Sequence, residues 1–252
     1  MDLGISGKRA LVTGASKGLG FAVCEALANE GVNLMLFARN IDQLASAQAD
    51  LKRRFEVEVD TFAGDMTSGE DIKRLGLELR AKNGCDILIL NTARPPHPLR
   101  EFLEETEPER WDIAYRTQLL GACLVLQEVA PQLIEKGWGR IVAITSATVK
   151  QPLPLHALST VFRAGLMGGL KQLANEIAPS GVTVNSVSPA AIRTEAFAET
   201  FDSSERAKLS PMKRLGTLEE FAGTVAFLAS QQAGYIHGTN VQVDGGANGS
   251  IF

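Results

Sequence analysis

Three kinds of segment are missing from this 252-residue chain. No run of Lys and Arg occurs and the formal net charge is −4, so nothing supplies the field that would hold a polyanion, and nucleic acid is not an expected partner. No stretch approaches the roughly 18 uninterrupted apolar residues of a membrane span. The opening "MDLGISGKRALVTG" also lacks a basic segment followed by an apolar one, so the reading is a cytoplasmic protein without a membrane or secretory element. Pro/Ser/Gly linkers, repeats and low-complexity tracts are absent as well, which predicts one domain over residues 1–252. Cysteine is scarce: Cys24, Cys85 and Cys123 are odd in number, far apart and set in apolar segments, which excludes a disulfide framework or a zinc site and leaves small core residues. Tyrosine is scarcer still, with only Tyr115 and Tyr235.

What is present is 45% hydrophobic and alternates between two periods. The short runs "RALVTG", "NLMLFAR", "EVDTFAGD", "DILILN", "GRIVAITS", "TVNSVSP" and "NVQVDGG" have the length and composition of buried strands. Between them lie helical segments, at Leu19 to Glu30, Asp42 to Phe55, Gly69 to Lys82, Pro108 to Glu135, Leu158 to Ala178 and Leu218 to Ser230. Continuous apolarity, as in "DILIL", implies burial on both strand faces, which a parallel sheet between two helix layers provides. The predicted fold is α/β: one Rossmann-type, doubly wound parallel sheet of about seven strands with helices on both faces.

The first strand runs straight into "VTGASKGLGFAV" and then a helix. Gly14, Gly18 and Gly20 allow a tight turn and a backbone that approaches a pyrophosphate without a Cβ in between, with the helix amino end facing the phosphates. Cofactor type turns on the end of the second strand. A carboxylate there would accept from a ribose 2′-hydroxyl, whereas a 2′-phosphate wants cations. The chain reads "LMLFARN", with Arg39 and no acid, and Lys17 adds a cation inside the loop, so NADP (NADPH) is favoured over NAD. Both cations are equally at home in solvent. Asp65 follows the third strand, where it either bonds an adenine amino group or serves as a turn residue.

Together these pieces resemble the short-chain dehydrogenase/reductase family over nearly the whole chain. "TGASKGLG" matches its cofactor loop, "GDMT" its adenine site, and "NTAR" stands where NNAG is usual. "NSVSPAAIRT" matches the segment that holds the nicotinamide, and "YIHGTNVQVDGG" the last strand and glycine pair. The resemblance implies cofactor contacts from Gly14, Ser16, Lys17, Gly18, Leu19, Gly20, Arg39, Asp65, Met66, Asn91, Ala93, Arg163, Pro189, Ile192 and Thr194, with the Arg163 fork on the ribose hydroxyls. It also implies an NADP(H)-dependent oxidoreductase acting on a small carbonyl/alcohol pair, assembled as a homodimer or homotetramer.

The catalytic positions depart from that pattern. "GRIVAITS" ends on Ser146, the family's catalytic serine, but counting 13 residues on to the tyrosine position gives Ser159, and four more to the lysine position gives Arg163. The helix asparagine becomes Gln118. Positions 159 and 163 share a helix face and so address one cleft. A phenol of pKa near ~10 lowered by a neighbouring cation supplies a proton; a serine hydroxyl is a far weaker acid, and an arginine keeps the charge without relaying protons. The alternatives are an enzyme with a non-standard set, Ser146, Ser159, Arg163 and Gln118; a catalytically inactive NADP(H)-binding pseudoenzyme or regulatory subunit; and redox-neutral chemistry on the same scaffold. His156, His97, Tyr115 or a water would be the substitute proton donor. Arg94 replaces a glycine and either contacts a substrate carboxylate or phosphate or faces solvent. Arg193 to Leu215 is expected to cap the substrate, and Gly165, Gly168 and Gly169 predict close helix packing, as at a subunit interface.

Overall fold

In the computed structural model, which describes residues 2–194, 197 and 202–250, the seven apolar runs become one parallel sheet. Its strands are β1 Arg9–Thr13, β2 Asn33–Ala38, β3 Val59–Ala63, β4 Ile87–Asn91, β5 Gly139–Ile144, β6 Val182–Pro189 and β7 Asn240–Val243, in the order β3-β2-β1-β4-β5-β6-β7. Alternation explains why such uniformly apolar strands are needed. Along β4, Ile87 and Ile89 face one buried cluster while Leu88 and Leu90 face the other, so both strand faces are core.

The helices are α1 Gly18–Asn29, α2 Ile41–Arg54, α3 Gly69–Ala81, α4 Pro108–Ala114, α5 Gly121–Glu135, α6 Ala157–Ile177, α7 Ser203–Leu209 and α8 Leu218–Leu228. Buried side chains of α1, α2 and α8 fill the first cluster and those of α3, α5 and α6 the second, giving three layers. Cys24 and Cys85 lie wholly inside, where burial pushes the Cys85 thiol up to about 12 and the Cys24 thiol higher; Cys123 is half-buried. Among the described residues no helix is long and apolar enough to cross a membrane.

One sequence expectation needs correcting. The single helix over Pro108 to Glu135 is interrupted by a wider π-helical turn, Tyr115–Leu120, which carries Gln118. It delivers Gly121 so close to Met66 that a Cβ there would fall 2.9 Å from the Met66 Cγ and 3.0 Å from its carbonyl oxygen. Within the chain, among the described residues, Cβ positions at Gly168 and Gly169 meet nothing within 4 Å and that at Gly165 meets only Leu119, so these glycines are left for the packing between subunits that they predict. Residues 195, 196 and 198–201 of the expected capping segment lie outside the described residues.

Helix α8 opens with Thr217 accepting from the Glu220 amide while the Glu220 carboxylate accepts from the Thr217 amide. Losing such a cap costs about 1 kcal/mol. Thr217→Ala should therefore lower the midpoint of thermal unfolding by about 2–4 °C, read by calorimetry.

Candidate active site

Strand order reverses between β1 and β4, and the loops leaving their carboxyl ends part there to form a crevice. Its two sides are tied together by Thr13, whose hydroxyl donates to the Asn91 carbonyl at 2.7 Å and accepts from the Asn91 amide at 2.8 Å. Against this pair sits the glycine loop. A Cβ on Gly20 would lie 2.2 Å from the Gly14 carbonyl oxygen, and one on Gly14 would lie 2.8 Å from the Asn91 side-chain nitrogen. At Gly18 nothing lies within 4 Å of the Cβ position, although φ is +60°. The first two glycines are thus required by packing, and the third leaves an open cradle.

That cradle sits on the amino end of α1. The preceding residue, Lys17, makes no side-chain cap, and the first turn holds no acid. By contrast Asn40, Ser68, Asp202 and Thr217 cap α2, α3, α7 and α8. An uncapped helix start presents backbone N–H groups and the positive end of the macrodipole, so the residues present fit a dinucleotide pyrophosphate.

From the cradle a cleft of about 1610 Å³ extends across the carboxyl ends of the strands. It gathers Ser16, Lys17, Gly18 and Leu19 of the loop with Asn91, Ser146, Ser159 and Arg163, and with Pro189, Ile192 and Thr194 after β6. Gly14, Gly20 and Ala93 lie behind the lining, and Arg39, Asp65 and Met66 lie outside it, toward the β2 and β3 ends. Arg39 is exposed; one Asp65 carboxylate oxygen accepts from the Thr67 amide in a local turn.

Ser146 lies two residues beyond the end of β5 and caps a short turn, Ala147–Val149, its hydroxyl accepting from the Thr148 amide at 3.3 Å. The Thr148 hydroxyl in turn lies 3.5 Å from that of Ser159, in the first turn of α6. One turn further, Arg163 is wholly buried. Its Nη1 donates to the carbonyls of Ile144 at 3.2 Å and Thr145 at 3.1 Å, its Nη2 to that of Ala93 at 3.2 Å, and its Nε has no partner. Burial, reinforced by repulsion from Arg94, pushes this guanidinium down to about 10, so it remains a cation at neutral pH.

The remaining candidates separate clearly. Gln118 is fully buried on the π-helical turn, both its side-chain polar atoms lack a partner, and it is not part of the cleft lining. Tyr115 packs against Phe162 with ring centroids 6.2 Å apart and also lies outside that lining, so it does not reach the cleft as the sequence suggested. His97 and His156 do line it. The His156 Nδ1–H donates to the Pro154 carbonyl at 2.6 Å, and burial holds its imidazolium below the ordinary range, so at neutral pH the ring is uncharged.

Two features escaped the sequence reading. Thr148 joins the two serines, and an S-x-T spacing was the available signal. Arg110 makes a bidentate pair with Glu105 at 2.7 and 2.8 Å and also donates to the carbonyls of Pro96, His97 and Pro98, fixing the loop that carries His97. No periodicity marks that contact.

Comparison with known proteins agrees with this geometry. A family model described as Enoyl-(Acyl carrier protein) reductase matches residues 14–248. Nodulation protein G of Azospirillum brasilense is 32% identical over 246 residues, covering 97% of this chain and 99% of that protein. The 3-oxoacyl-(acyl-carrier-protein) reductase FabG of Staphylococcus epidermidis is 33% identical over 243 residues, covering 95% and 98%. Among solved structures, L-sorbose reductase from Gluconobacter frateurii, complexed with NADPH and L-sorbose, superposes with a TM-score of 0.92 at 31% identity, covering both chains fully.

The glycine positions make separable predictions. Gly20→Ala drives a Cβ into a backbone carbonyl and should cost about 3 kcal/mol of stability, read by chemical unfolding. Gly18→Ala carries only left-handed strain, about 1 kcal/mol, yet fills the cradle, so it should fold and lose dinucleotide affinity in a fluorescence titration.

With the family model spanning most of its length and relatives above 30% identity covering nearly all of it, the chain belongs to the short-chain dehydrogenase/reductase family.

Proposed function

We propose that this chain is an NADP(H)-dependent reductase of a small carbonyl compound that works with a non-standard residue set. The observation carrying this reading is that the uncapped start of α1 and the hydroxyls of Ser146 and Ser159 open into one cleft. When bound, NADPH supplies a hydride to a carbonyl carbon. In this reading the α1 amides, Ser16, Lys17 and Leu19 hold the pyrophosphate, while Asp65 and Met66 border the adenine. Asn91, Ala93, Pro189, Ile192 and Thr194 frame the nicotinamide end.

NADP over NAD is supported by the end of β2, where Arg39 stands exposed and no carboxylate competes for a 2′-phosphate, and by Lys17 in the loop. The sorbose reductase neighbour binds NADPH, and another, YwfH, at 27% identity and a TM-score of 0.91, is described as an NADPH dependent reductase.

Ser146 donates a hydrogen bond to the substrate carbonyl oxygen. Ser159, set by Thr148, orients a water that passes a proton to that oxygen and is reprotonated from bulk solvent, so no hydroxide is left in the site; burial holds the His156 imidazolium below its ordinary range, which weakens it as the proton store. Arg163 provides a fixed positive potential and rigidly joins α6 to the ends of β4 and β5. Gln118, outside the cleft lining and with no hydrogen-bond partner among the described residues, takes no step in this reading. Losing a dedicated general acid costs about 10²- to 10⁴-fold, whereas positioning of the reactants contributes on the order of 7–11 kcal/mol and needs no phenol. Turnover at a reduced rate follows. The second reading is a non-catalytic NADPH-binding protein, favoured by the serine at position 159.

NADPH should bind more tightly than NADH in a nicotinamide-fluorescence titration, and Ser159→Tyr/Arg163→Lys should raise reduction of simple ketones by about 10²-fold. Tighter NADH binding overturns the cofactor assignment. A brisk wild type with a dead double variant overturns the proton-supply argument, and NADPH binding without turnover in either protein selects the second reading.

A further inference from the structure

We propose, resting on the reductase reading above, that Arg110 is a positioning residue for the substrate: it clamps the proline-rich loop after β4 into a rigid wall of the cleft. The loop reads "ARPPHPL", residues 93–99, and Pro95, His97 and Leu99 line the cleft. Pro95, Pro96 and Pro98 supply no N–H, so the loop holds more backbone acceptors than donors. Among the described residues, the carbonyls of Pro96, His97 and Pro98 accept from no backbone amide. Their donors come from one side chain. Arg110, buried on α4, donates to these three carbonyls at 3.3, 3.1 and 2.6 Å. It is paired with Glu105, also buried, at 2.7 and 2.8 Å, which balances the charge and fixes the plane of the guanidinium. An ion pair that served stability alone would need none of the three carbonyl bonds.

Both ends of the loop are tied to the serine side of the cleft. At its start the Ala93 carbonyl accepts from Arg163, whose other terminal nitrogen holds the Ile144 and Thr145 carbonyls next to Ser146. Past its end the Arg100 carbonyl accepts from the Ala157 amide at 3.5 Å and the Glu101 carboxylate from the Leu155 amide at 3.1 Å, on the segment that leads into α6 and Ser159. Between these anchors Arg110 holds the middle of the loop, the part that bears His97. Trp111, next in sequence, donates through its Nε1 to the Glu105 carbonyl at 2.8 Å and packs edge-on against Phe162, with ring centroids 5.9 Å apart. The clamp is thus seated on α6 itself, one residue from Arg163. Wall and serine hydroxyls share one support, and a carbonyl compound held between them keeps one orientation toward the hydride. A displacement of about 1 Å in such an arrangement costs on the order of 10²-fold in rate.

The test compares the wild type with Arg110→Lys and with Arg110→Met/Glu105→Leu. The double variant removes both buried charges together, which folds commonly tolerate, while Arg110→Lys keeps the pair with Glu105 but replaces the fork by a single ammonium. Tryptic cleavage after Arg100 reads release of the loop, and nicotinamide fluorescence reads NADPH affinity. Cyclohexanone and acetophenone serve as substrates and, with NADP+ bound so that they cannot be reduced, as calorimetric ligands. Both variants should be cut after Arg100 about 10-fold faster and bind NADPH within about twofold of the wild type, while kcat for the ketones falls by about 10- to 100-fold. An Arg110→Lys variant that matches the wild type makes Arg110 a mere counter-ion of Glu105 and overturns the proposal. Unchanged cleavage, a released loop with unchanged kcat, or loss of NADPH binding along with the ketone does the same. If the wild type reduces neither ketone, that counts against the reductase reading by itself, and calorimetry decides the clamp: ketone binding lost in both variants sustains it, and binding that persists in them or is absent from the wild type overturns it.

Discussion

Thr13 and Asn91 exchange two hydrogen bonds across the point where the sheet changes direction, and the placement of the site depends on that exchange. It sets the height of the β4 end relative to the glycine loop, where the Asn91 side-chain nitrogen would lie 2.8 Å from a Cβ on Gly14 and the Gly14 carbonyl oxygen 2.2 Å from one on Gly20. The crevice is therefore set by backbone together with the short side chains of Thr13 and Asn91, and Gly18 at the start of α1 lines it. Everything on the far side of the cleft is referred to the same frame through Arg163, whose nitrogens bond carbonyls at the end of β5 and in the loop after β4.

A buried guanidinium held, among the described residues, by carbonyls and no carboxylate is costly, because carbonyl dipoles return only part of the hydration it has lost. Its persistence at the heart of the cleft identifies a place where electrostatic potential is kept at the expense of stability. The hydroxyls of Ser146, Thr148 and Ser159 form a neutral, hydrogen-bonding floor beside this charge. Such a floor orients an oxygen and acidifies nothing, so under the reductase reading proposed above proton supply and binding separate more than in a site built around a phenol.

The sheet was legible because burial on both faces forces unbroken apolar strands, and "DILIL" becomes β4 with alternate residues in opposite clusters. The cofactor cradle was legible because glycine is the residue such an approach permits. Helix limits came out within about two residues, except where the π-helical turn at Tyr115–Leu120 inserts a wider ring, a change that leaves no periodic trace in an apolar helix. Thr148 and Arg110 were not legible for a different reason. Their roles arise from contacts with distant segments, fixed only once the strands are in register: the S-x-T spacing signals the bond of Thr148 to Ser146 but not its approach to Ser159, and nothing local signals the partners of Arg110. Tyr115 was weighed for the cleft from its spacing to Gln118, but the direction of its ring is set by packing on Phe162.

The bare start of α1 has an effect on the life of the molecule as well as on its ligand. Four N–H groups at a helix start normally find partners, and here the loop leaves them to whatever arrives from solution. Because only the folded chain can gather those groups, nucleotide concentration enters the folding equilibrium directly, and a hundredfold excess over the dissociation constant adds about 2.7 kcal/mol. A cell short of reduced dinucleotide would thus hold more of this chain in opened, protease-accessible forms, tying its abundance to the supply of its own coenzyme.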